Sequence, residues 1–144
     1  MKKCFETILC LVVCICSMLT VSHAASDEYS LSPRYNNTVY ETTAFVIDDS
    51  GKATVSVSYV GYSGITSGAT IKIKLQKKFL LFFWQDVDIG TDNNTWVHEV
   101  TGDSYSASHT LNLSKGTYRV QVDYEIRGTG GGSDIITKEI ERTY

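Results

Sequence analysis

From Thr42 onward, apolar and polar residues alternate in short runs rich in Val, Ile, Thr and Tyr, separated by Gly, Asp, Asn and Ser. A period of two places successive side chains on opposite faces of a strand, so each run predicts a strand with one dry and one wet face. The clearest run is Tyr118 to Ile126, where Tyr118, Val120, Val122, Tyr124 and Ile126 share one parity. Arg119, Gln121, Asp123 and Glu125 take the other, a sorting that helical periodicity does not produce. Ala69 to Lys77 behaves alike, with Ile71, Ile73 and Leu75 opposed to Lys72, Lys74 and Gln76, and so does Ala53 to Val60. Weaker strands are expected at Thr42 to Ile47, Gln85 to Ile89, Thr95 to Val100, Ala107 to Leu113 and Asp134 to Glu141. The breaks between them carry turn residues: Asp48-Asp49-Ser50-Gly51, Asp92-Asn93-Asn94, Ser114-Lys115-Gly116 and the glycine-rich Gly128 to Ser133. Seven or eight antiparallel strands without a helix predict an all-β domain, with two packed sheets preferred over a small barrel.

The first residues follow a different rule. Lys2 and Lys3 precede an apolar run from Ile8 to Val21, and Ser22-His23-Ala24 offers small residues at a cleavage site, the pattern of a signal peptide spanning 1-24. The expected organisation is that leader with its helix, a flexible N-terminal arm over 25-41, and a β domain over 42-144. All four cysteines, Cys4, Cys10, Cys14 and Cys16, fall in the leader, so the exported chain would have no thiol for a disulfide, a zinc site or a nucleophile. Cys14 follows Val13 and Cys16 follows Ile15, where a lipid-attachment signal wants a small residue. The expected localisation is secreted and extracellular. Removing Lys2, Lys3 and Glu6 from 13 basic and 16 acidic residues leaves 11 and 15, a net charge of -4. That balance argues against nucleic acid as a partner.

The stretch Leu111-Asn112-Leu113-Ser114-Lys115-Gly116-Thr117-Tyr118-Arg119-Val120 resembles the corner between strands E and F of immunoglobulin-like and fibronectin-like domains. The resemblance implies an immunoglobulin-like sandwich of about seven strands, with Gly116 in the bend and the Tyr118 hydroxyl bonded backward to the main chain. Val120 stands where antibody domains carry a cysteine, which disfavours the disulfide-linked subclass. Residues 53 to 144 also resemble small secreted proteins of Gram-positive bacteria that have no characterised function. The matching features are Leu75-Gln76-Lys77-Lys78, Trp84, Gly116-Thr117-Tyr118-Arg119-Val120 and the terminal Thr143-Tyr144. The sequence departs from them at residues 79 to 83, where a polar hairpin tip would be expected.

That departure is the foremost candidate site. Phe79, Leu80, Leu81, Phe82, Phe83 and Trp84 form six consecutive large apolar residues behind Lys77 and Lys78, and a single strand cannot bury all six on one side. Either the segment is packed on both faces or covered by the N-terminal arm, or the chain turns here and the rings form an exposed contact surface for a partner or a lipid interface. Trp84 with Gln85 and Asp86, and Trp96 beside Asn94 and His98, are candidate glycan-stacking platforms. Catalytic residues are not assigned: His98 and His109 are the two histidines after the leader, and His109 shares parity with Leu111 and Leu113, as a packed or rim side chain would. Asp86, Asp88, Asp92 and Asn93 are hard oxygen ligands but lack a calcium-loop spacing, so neither a metal nor a cofactor is assigned. Lys72, Lys74 and Lys77 form a basic stripe only if a bulge reverses the parity of Lys77.

The sequence thus reads as a secreted, non-enzymatic β-sandwich acting by surface contact, with a protein or cell-surface component as partner and no oligomeric state assigned. The alternatives are a membrane-perturbing or toxin-like factor using Phe79 to Trp84, and a carbohydrate-binding module.

Overall fold

The structure is a computed structural model that describes residues 35-144; the expected signal peptide, its four cysteines and the arm up to residue 34 lie outside the described residues. Eight strands follow in order: β1 (Thr38–Ile47), β2 (Lys52–Gly61), β3 (Thr66–Phe79), β4 (Phe83–Asp86), β5 (Thr95–Thr101), β6 (Ser104–Asn112), β7 (Thr117–Gly128) and β8 (Asp134–Thr143). Every pairing is antiparallel. One sheet has the order β1-β2-β6, and the other has β4-β3-β7-β8 with β5 also on β3. This is the all-β sandwich that the alternation predicts.

The inward parities are the expected ones. Val55, Val57 and Tyr59 from β2 meet Ile71, Ile73 and Leu75 from β3 and Tyr118, Val120, Val122, Tyr124 and Ile126 from β7, all buried. Three tyrosines in a dry core would each strand a hydroxyl, and each finds an acceptor at the rim of the core. Tyr59 donates to the Gly102 carbonyl at 3.0 Å, Tyr118 to the Ser114 carbonyl at 2.7 Å, and Tyr124 to the Thr42 carbonyl at 2.9 Å. The Tyr118 bond is the backward one that the corner resemblance implies, and Gly116 between donor and acceptor takes a φ of +154°. At the β1–β2 hairpin Gly51 has φ +84°, while the Asp48 carboxylate accepts from the Ser50 and Lys52 amides at 2.9 Å each.

The arm expected to reach residue 41 ends earlier. Asn37 and Thr38 are buried, and Thr38 already opens β1. The cause is Asp134, a buried carboxylate at the start of β8, which accepts from the Asn36 and Asn37 amides at 2.9 and 2.8 Å and from the Thr38 hydroxyl at 2.8 Å. Asn37 in turn donates to the Gly132 carbonyl at 2.9 Å, and the Thr66 hydroxyl donates to the Asn37 carbonyl. Polar side chains that look solvated in the sequence are instead mutually satisfied inside the fold.

The fourth strand also differs from expectation. It is placed at Phe83–Asp86 rather than Gln85 to Ile89. β4 and β5 share one edge of β3, with Lys74 already opposite Thr95 and Gln76 opposite Asp86, so β4 has no room to run further. β3 keeps a regular register with β7 from Gly68 to Lys77, so no bulge reverses Lys77. Its ammonium turns toward the sandwich end, 5.4 Å from the Tyr118 ring centroid and bonded to the Ser114 hydroxyl at 2.8 Å. The three lysines therefore do not form one stripe.

Candidate functional site

The apolar run is a hairpin tip. Lys77 pairs with Gln85, Lys78 with Trp84 and Phe79 with Phe83, leaving Leu80, Leu81 and Phe82 as the three-residue connection. Pairing stops there because Leu80 adopts φ +55°, the left-handed conformation that reverses the chain. A branched apolar residue takes this conformation at a cost of about 1 kcal/mol, and hairpins normally assign it to Gly or Asn. The five residues from Phe79 to Phe83 are between 58% and 81% exposed, so neither strand packing nor a second sheet covers them. Trp84, the sixth, is half-buried.

The base of the hairpin is held firmly on the outer face of the five-stranded sheet. Lys74, Gln76 and Lys78 alternate with the buried Ile73 and Leu75, which places Trp84 on this outer face beside Lys78. The Arg119 guanidinium lies over the indole with its carbon 4.6 Å from the ring centroid, and Lys78 Nζ lies 5.4 Å from it. Arg119 is itself fixed, donating to Gln76 Oε1 through Nη2 at 2.6 Å and Nε at 3.1 Å, while Gln76 Nε2 donates to Asp86 at 2.8 Å. Cations over an indole face gain from its negative quadrupole, so the tip stands on a braced aromatic mount. On the inner side of the same base, a depression of about 250 Å³ opens between Lys77, Gln85, Val87, Leu113 and Tyr118.

The second tryptophan is elsewhere. Trp96, opposite Ile73 on β5, faces inward and stacks on His109 of β6, with centroids 4.3 Å apart and planes 8° from parallel. One indole thus bears cations on the outer face while the other closes the seam between the sheets, and the two do not form a shared stacking platform. Asp86 lies on the Trp84 side of β4 but is taken by Gln76 and by Lys74 at 3.7 Å, while Gln85 points to the opposite face.

The seam contains a group that sequence reasoning missed. β5 and β6 are joined by Gly102 and Asp103 but belong to different sheets, so their inward side chains meet across the open side of the sandwich. His98 and His109 share a hydrogen bond between their Nε2 atoms at 2.8 Å, and the Tyr105 hydroxyl lies 3.0 Å from His98 Nδ1. Burial pushes both imidazoles below their usual value near 6.5, and His109 is lowered further by its neighbour His98. Both are then neutral at neutral pH, one donating and the other accepting. The available signal was the inward parity of both histidines on either side of a two-residue reversal. Among the described residues, no three His, Cys, Asp or Glu side chains are grouped to hold a metal ion. Asp88 is used locally, accepting from the Gly90 amide at 2.9 Å.

No protein-family model matches the chain, and no curated protein matches it. Among solved structures, the crystal structure of the "Putative ApaA Protein from Bordetella pertussis" is similar at 17% identity and a TM-score of 0.34, covering 76% of this chain and 94% of that one. At that TM-score the shared geometry is too slight for anything to pass from one protein to the other.

Proposed function

We propose that this protein is a secreted, non-enzymatic contact module of immunoglobulin-like build whose β3–β4 hairpin tip is the contact element. The observation that carries this reading is the exposure of Phe79 to Phe83 on a hairpin whose base is braced by Arg119, Gln76 and Lys78. Burying one such side chain is worth roughly 1.5–3 kcal/mol, and in the fold the tip keeps more than half of each side chain in water. The fold therefore gains little from these residues. Their burial energy is available only to a second surface, and five adjacent side chains can offset the several kcal/mol that association costs.

The test compares retention of the purified protein on a phenyl-derivatised matrix with that of a Leu81→Ser, Phe82→Ser variant. The wild type is retained and the variant elutes early, with the two far-UV spectra superimposable. Equal retention would remove the tip as the contact element.

A further inference from the structure

Resting on that contact reading, we infer that the occupant of the tip is the interfacial layer of a lipid bilayer. The first reason is the symmetry of the exposure. A groove on another protein covers one face of a hairpin, yet here the paired Phe79 and Phe83 and all three connecting residues are exposed by more than half. An apolar phase that wets every side satisfies such a tip, and acyl chains are such a phase.

The second reason is the order of residues along the hairpin. At the apex are Leu80, Leu81 and Phe82; one step back is the Phe79 and Phe83 pair; one further step back are Trp84 and Lys78, with Arg119 over the indole; the carboxylates come behind, Asp86 at the Gln76 level and Glu141 and Glu139 on β8, reaching Lys78 Nζ at 3.9 Å and Arg119 Nη1 at 3.5 Å. Acyl chain, aromatic girdle, phosphate-binding cations and water is the same order met on leaving a bilayer core. Tryptophan suits the boundary because its ring is apolar while its N–H needs a polar partner. Lys77 and Lys78 stand at the depth of lipid phosphates when the rings are submerged.

Length sets the mode. The two steps from the phenylalanine pair to the apex extend roughly 7 Å at strand rise, within the ~5–10 Å that interfacial elements reach and far short of the ~30 Å hydrocarbon core. The tip anchors in one leaflet and does not cross. With the acidic balance of the chain, apolar insertion leads and the cations add a smaller preference for anionic headgroups.

The experiment uses the secreted chain, residues 25-144, with vesicles of phosphatidylcholine alone and of phosphatidylcholine mixed with phosphatidylglycerol. A Trp96→Phe substitution leaves Trp84 as the sole indole, since the sequence has two tryptophans. Co-sedimentation with both vesicle types is expected, together with a blue shift of Trp84 emission and stronger quenching by bromines near the headgroup end of the lipid chain than at its terminus. Leu81→Ser with Phe82→Ser should lower partitioning at least about tenfold on both vesicle types. Lys77→Gln with Lys78→Gln should lower it only on the anionic ones. Absence of co-sedimentation alongside tip-dependent retention on the phenyl matrix would overturn the lipid inference and leave the contact reading standing. Loss of both would overturn both. Vesicle binding that survives the serine pair, or tip-dependent dimers with no vesicle binding, would also overturn the lipid inference.

Discussion

Asp134 and the histidine pair illustrate how much one side chain decides. Replacing Asp134 by alanine would leave the Asn36 and Asn37 amides and the Thr38 hydroxyl without their acceptor in a buried site, at a cost of about 3 kcal/mol or more, readable as a lower denaturant midpoint. Tyr118→Phe removes one hydroxyl that donates to the Ser114 carbonyl, and the expected loss is smaller, about 1 kcal/mol. His98 and His109 set a pH dependence whose sign follows from their lowered values. A group held neutral in the fold takes up a proton more readily when unfolded, so its stabilisation is present in full above about 6.5 and declines as pH falls through the folded values. Denaturant midpoints should therefore drop between neutral pH and pH 5, and a His98→Gln, His109→Gln variant should lose most of that dependence. An unchanged slope would show that the seam does not titrate with unfolding. Neither feature could be assembled from the sequence beforehand. The parity of the histidines was legible, but the two lie on strands of different sheets, and Asp134 read only as the first residue of the last strand because its three donors lie about a hundred positions away.

At the scale of elements, periodicity carried far. β2, β3 and β7 are the strands with the cleanest alternation, and they supply most of the buried core, since a side chain's face is fixed by strand geometry alone. Edge assignment was not legible. Where β4 begins and ends depends on β5 occupying the same edge of β3, a competition that no local pattern encodes. The tip lies between these cases: six apolar residues in a row announced that alternation failed, but not whether the chain turned there or passed through a two-sided core. The turn is made without glycine, and Leu80 bears the strain. Leu80→Asn, compatible with its positive φ, is expected to raise stability by up to about 1 kcal/mol while weakening retention on an apolar matrix. A fall in stability would mean that Leu80 packs in a way its exposure conceals.

For the whole molecule, the two sheets are joined at both open sides by unlike devices. β1 meets β8 through Glu41 and Lys138 at 2.7 Å, and β5 meets β6 through stacked Trp96 and His109 and the histidine bond. No cysteine lies among the described residues, so this packing stands without covalent help, and the unfolding midpoint should be the same with and without thiol reductant. Among the described residues, the longest run of exposed large apolar side chains is the hairpin tip, with Lys77 and Lys78 behind it. Side-chain footprinting by photogenerated carbene, on the full chain in dilute solution and resolved to single residues, reads that feature most directly. Labelling of Leu80, Leu81 and Phe82 should approach that of the same residues in the denatured chain, while Phe45 and Leu75 stay protected. Protection of the tip to the level of Phe45 would mean that the protein covers these rings itself, and the hairpin would be part of its own packing and not a contact element.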